Sequence, residues 1–89
     1  MIHETLTSLP GPEVLERAKA FFADRVPHNA ASLEKQGPAF ATFRGQGGEE
    51  IAVAVLPGDG GTRVRASTLF FDQAVGRFFS TLPSAGDNW

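Results

Sequence analysis

The chain has 89 residues, a formal charge of −2, no cysteine, and apolar and charged fractions of 42% and 20%. These values are ordinary for a globular domain. They exclude a disulfide framework, a thiol nucleophile and a thiolate metal site. They also offer no basic surface for nucleic acid or anionic lipid.

One domain is expected over residues 1–83, followed by a polar tail at 84–89. A chain of this length buries somewhat more than ~60% of its unfolded surface, enough for a modest core. The opening MIHETLTSLP lacks a cationic start followed by an apolar run, so it does not read as a signal peptide. No stretch approaches the ~18 apolar residues of a membrane span. With no cysteine, the expected setting is the cytoplasm.

Residues 2–7, IHETLT, are rich in β-branched side chains and alternate weakly, which reads as a first strand. SLPGP then makes a turn, and Pro12 suits the first turn of a helix because its missing N–H costs nothing there. Glu13 and Glu16 complement the positive end of the same helix. Val14, Leu15, Ala18, Phe21, Phe22 and Val26 recur at helical spacing, and Pro27 stops the helix at or before Val26.

Beyond the helix, AASLEKQ and AFATFRG read as two short strands around Gly37-Pro38, although the first also tolerates a helical turn. EEIAVAVLP places Ile51, Val53 and Val55 on one face and Ala52, Ala54 and Leu56 on the other. Apolar residues on both faces predict an interior strand. GDGG supplies a turn. In TRVRASTLF, Val64, Ala66, Thr68 and Phe70 alternate with Arg63, Arg65 and Ser67, predicting a strand with one wet face.

Asp72 is expected to be the N-cap of a last helix. On that helix Phe71, Ala74, Val75, Phe78, Phe79 and Leu82 share one arc, and Pro83 ends it. Four of the chain's eight phenylalanines lie within residues 67–83, and a helical stripe of this kind usually packs on a sheet. The expected fold is α+β: an antiparallel sheet of about four to five strands with both helices packed on one face.

Three stretches resemble the helix-grip superfamily, the START-like and Bet v 1-like proteins that include polyketide cyclases. IHETLTSLPGPEVLERAKAFF is similar to that family's first strand and helix. GDGGTRVRAS is similar to its late hairpin, and FFDQAVGRFFSTL to the start of its C-terminal helix. The chain is shorter than such proteins by roughly one hairpin, giving the order β-α-β(4)-α. The resemblance implies an apolar ligand site between the sheet and the last helix, lined by Phe43, Val53, Val55, Val64, Phe71, Val75 and Phe79.

Energetics limit such a site. A ligand pocket starts near ~300 Å³, and an empty cavity costs on the order of 24 cal/mol per Å³. The product, roughly 7 kcal/mol, rivals the ~5–10 kcal/mol stability of a small domain. A short chain is expected to close its core and to satisfy any remaining apolar surface by pairing edges or packing uncovered faces with a second copy. The same seven residues then serve core and interface together.

Catalytic signals are absent from the pattern. His3 and His28 stand 25 positions apart, outside any metal-ligand spacing, and no metal or other cofactor is expected. No serine sits in a GxSxG context. Glu49 and Glu50 are neighbours on a strand and so face opposite ways. GQGG and GDGG each precede a strand rather than a helix, so both read as hairpin turns rather than phosphate loops. Arg44, Arg63 and Arg65 read as a solvated strip on the wet face, and Trp89 as a free tail or an anchor. The expected function is a non-enzymatic binding or assembly module acting as a homodimer. The alternatives are a carrier or enzyme-like protein for an apolar small molecule, and an accessory subunit docking on another protein.

Overall fold

A computed structural model describes residues 1–24, 32–45, 48–69 and 71–84. The elements are β1 (Ile2–Thr7), α1 (Gly11–Asp24), β2 (Ser32–Gly37), β3 (Phe40–Arg44), β4 (Glu50–Gly58), β5 (Gly61–Thr68) and α2 (Asp72–Ser80). The five strands form one antiparallel sheet in the order β1-β5-β4-β3-β2. The α+β architecture is the one expected. Expectations for Val26, His28, Phe70 and Trp89 lie outside the described residues.

Local chemistry explains the elements. The carbonyl of Pro10 accepts the N–H groups of Glu13 and Val14 and so starts α1. At the β4–β5 hairpin, Gly58 pairs with Gly61 around Asp59-Gly60, and Gly60 takes the positive φ of +77° that the turn requires. β2 resolves the ambiguity of AASLEKQ in favour of a strand. Its residues are almost all exposed, and its register slips between Leu33 and Lys35. That slip and the charges of Glu34 and Lys35 blunt a sheet edge against further pairing.

Residues directly opposite on antiparallel neighbours share a face. One face therefore carries Ala41, Phe43, Ile51, Val53, Val55, Val64, Ala66 and Thr68, and both helices cover it. Val14, Leu15, Ala18 and Phe22 of α1 join Val75 and Phe78 of α2, with Phe71 and Leu82 at its ends, in one buried cluster. Phe22 sits at its centre. Its ring lies 5.2 Å from that of Phe43 and 5.3 Å from those of Phe21 and Phe78. Tilted and edge-on pairs at this spacing add about 0.5–1.5 kcal/mol each beyond the area they bury.

The end of the chain is tied to β1. Buried Thr7 donates its hydroxyl to the Pro83 carbonyl at 2.5 Å and accepts from Leu9 N–H at 3.3 Å. Ser8 N–H reaches the same carbonyl at 3.2 Å, and Ser84 bridges Thr7. Thr7→Val keeps the shape but leaves the half-buried Leu9 N–H without its acceptor. The expected loss is about 1–3 kcal/mol, read as a lower urea midpoint with an unchanged slope.

Candidate functional site

The structure brings all seven of the expected ligand or interface residues onto the helix side of the sheet. Phe43, Val53, Val55 and Val64 come from the strands, and Phe71, Val75 and Phe79 from α2 and its entry. Six are buried, and Phe79 is half-buried against the same cluster. Their side chains pack on one another and on Phe22 and Phe78.

Asp72 departs from its expected role. It is the first residue of α2, and Phe71 occupies the cap position without a side-chain cap bond. The orphan N–H of Phe71 goes instead to Thr68 Oγ1 at 3.1 Å. The Asp72 carboxylate turns away to His3, with 2.6 Å between Oδ1 and Nε2. A carboxylate only accepts, so Nε2 carries the hydrogen of this bond. The contact spans 69 positions and ties the start of α2 to β1, a link that local spacing does not announce.

A histidine oriented by a carboxylate is half of a nucleophile-activating set. No described hydroxyl hydrogen-bonds the imidazole, and the contact joins β1 to the start of α2. Among the described residues no group of three or more His, Asp or Glu side chains is placed to hold a metal. No described helix is long and apolar enough to cross a membrane.

The His3 hydrogen bond holds the Asp72 carboxyl below its ordinary value of 3.8, and the Arg44 hydrogen bond holds Glu34 below its ordinary 4.5. A depressed folded-state pKa stabilises above the unfolded value, and the gain is lost as pH falls through the folded value. Both contributions are therefore present at neutral pH and disappear below about pH 4. Asp72→Asn is expected to lower the melting temperature at pH 7 and to match the parent near pH 2. Thermal melts by circular dichroism across that range check it.

The opposite face of the sheet carries no described helix. Its outward positions run in rows across the strands. Leu6, Arg63 and Leu56 form one row. Glu4, Arg65, Ala54 and Phe40 form the next, then Ile2, Ser67, Ala52 and Thr42, and finally Glu50 and Arg44. Ile2, Leu56 and Phe40 are 60%, 48% and 41% exposed, around half-buried Leu6, Ala52 and Ala54. The Phe40 ring lies on Gly37, where an added Cβ would fall 2.4 Å from Cε1. That contact places the ring over the edge strand, β2. Thr42 Oγ1 is buried on this face with no hydrogen-bond partner among the described residues.

Comparison of the chain with family models, curated proteins and solved structures returned no match. The site therefore rests on its own geometry.

Charges frame the apolar centre. Glu4 lies 3.6 Å from Arg63 and 3.7 Å from Arg65. At the other end Arg44 grips Glu34 through two hydrogen bonds of 2.8 and 3.1 Å and also donates to the Gly48 carbonyl. Beside Glu50 an open groove of about 590 Å³ is lined by Met1, Ile2, Glu49, Ser67 and Leu69, the last being 81% exposed. The three arginines of the expected strip do share this face. Each is drawn to a carboxylate, and they sit at opposite ends. β4 is interior in strand order, as expected, yet only one of its two apolar faces is covered.

Proposed function

We propose that the protein is a small non-enzymatic binding module that self-associates through the open face of its sheet. The observation that carries this reading is the group of Phe40, Leu56, Ala52 and Ala54, with Ile2 beyond Ser67, on a face without described helices. Exposed apolar residues scattered singly need no explanation, but Phe40, Ala52, Ala54 and Leu56 adjoin one another on β3 and β4, beside the polar column of Arg63, Arg65 and Ser67 on β5, and such a set marks an interaction surface. Small alanines at the centre let a second sheet approach to the ~10 Å of packed sheets.

Nuclear magnetic resonance on dilution tests the reading. Between about 1 mM and about 10 μM, where a weak interface dissociates, the Ala52, Ala54 and Leu56 methyls should shift. Those of Val14 and Val75 should not. Shifts confined to the helix side, or none at all, contradict it.

A second reading, a carrier of an apolar small molecule, draws on the element order β-α-β(4)-α and on the seven residues gathered between sheet and helices. Native mass spectrometry addresses it: a retained apolar molecule supports the carrier. A stoichiometric second protein on purification from the source cell supports an accessory subunit instead.

A further inference from the structure

The open face is charged differently at its two ends. At the Leu56 end two guanidiniums, Arg63 and Arg65, share the single carboxylate of Glu4. At the opposite end two carboxylates, Glu34 and Glu50, flank the single guanidinium of Arg44. Glu34 takes that guanidinium, and Glu50 has no ion pair among the described residues. One end therefore carries a cation in excess; at the other, Lys35 adds a second cation beside Glu34, and Glu50 stands near Arg44 without an ion pair among the described residues. Ala52 and Ala54 lie between the two ends on the central strand, β4.

We infer, resting on the self-association proposed above, that two copies pack their open faces about a twofold axis running across the strands. The axis passes through the step between Ala52 and Ala54. The first row of one sheet then lies over the last row of the other, with β4 antiparallel to β4 of the second copy. Glu50 faces Leu56 of the second copy, and Arg63 stands one strand away from that Leu56, about 4.8 Å, within reach of a guanidinium. Symmetry makes the Arg63–Glu50 contact twice. It also seats the leucine end of each copy beside the groove at Ile2 and Leu69 of the other.

The alternative twofold, along the strands through β4, brings the two Glu50 carboxylates together. Like charges in an interface select against that arrangement.

The size of the face fits a weak dimer. Five strands about 4.8 Å apart, over about six residues of 3.3 Å, give roughly 500 Å² per copy and about 1,000 Å² for the pair. That is close to the lower bound for a specific interface.

The test uses the full chain in sedimentation equilibrium: the parent, Arg63→Glu, Glu50→Arg, and a 1:1 mixture of the two variants. Each variant alone meets like charge at both contacts and should dimerise at least tenfold more weakly than the parent. In the mixture each Glu at 63 meets an Arg at 50, and each Arg at 63 meets a Glu at 50, so association should return to parental strength. Matching circular dichroism and melting temperatures keep folding out of the comparison.

Variants that dimerise as the parent does, or a mixture that stays as weak as its components, overturn the proposed orientation. If Phe40→Glu still weakens association in that case, the open-face reading survives alone. A parent chain that never dimerises overturns both.

Discussion

Phe22→Ala is expected to remove about 3–5 kcal/mol of stability, the range for truncating a buried phenylalanine. Phe22 is fully buried and its ring contacts those of Phe21, Phe43 and Phe78. Among the described residues it alone joins α1 to both the sheet and α2 through aromatic pairs, so its loss opens a cavity bounded by three layers that cannot all relax into it. A domain of this length holds about 4–13 kcal/mol in total. The variant should therefore be partly unfolded at 25 °C, or have its urea midpoint at least halved. Phe79→Ala, at a half-buried position, should cost clearly less. A loss below about 1.5 kcal/mol for Phe22→Ala, smaller than the usual range for such truncations, would mean the three rings do not form one packed unit.

Phe40→Glu should do the reverse: little to the fold and much to association. Phe40 is 41% exposed and lies on Gly37 at the edge of the sheet. Its cross-strand contact is worth about 0.2–1 kcal/mol, so the melting temperature should fall by only a few degrees. In the pair of faces, however, the substitution removes an aromatic anchor and buries a carboxylate opposite Thr42 of the second copy. Aromatic anchors typically carry 2 kcal/mol or more, about thirtyfold in affinity, and the buried charge adds to it. Association should weaken by about thirtyfold or more. Unchanged association, with the fold intact, would move the interface off this face.

Much of the fold can be read from period and punctuation. The 3.6-residue spacing from Val14 to Phe22 produces α1, and the alternation from Arg63 to Thr68 produces β5. The GDGG turn produces the hairpin between β4 and β5. Ser32–Gly37 is harder, because nearly every residue of β2 is exposed and no face alternates. Its strand identity comes from pairing with β3, with the Glu34–Arg44 bond fixed across that pair. Asp72 follows the same logic. A short-range rule assigns it to a helix cap, but a histidine 69 positions away competes for the carboxylate and takes it.

The candidate surface was half legible. The aromatic arc of α2 is conspicuous in the sequence and assembles as expected, but on the side both helices cover. The open face comes from residues that look unremarkable in isolation: Phe40 after a Gly-Pro turn, Leu56 before a proline, and two alanines in a run of valines. Their significance depends on strand order, which sets Ile2 of β1 in one row with Ser67, Ala52 and Thr42 from three other strands. It depends also on both helices falling to one side. The uneven pairing of the arginines emerges only from distances, since Arg44, Arg63 and Arg65 are alike in sequence but differ in the carboxylates they reach.

Sedimentation equilibrium of the unmodified chain, from low micromolar to millimolar concentration, tests the central claim most directly. The account predicts an apparent mass rising with concentration from 9.5 kDa toward twice that value, and falling back on dilution. A mass that stays at 9.5 kDa throughout would contradict it.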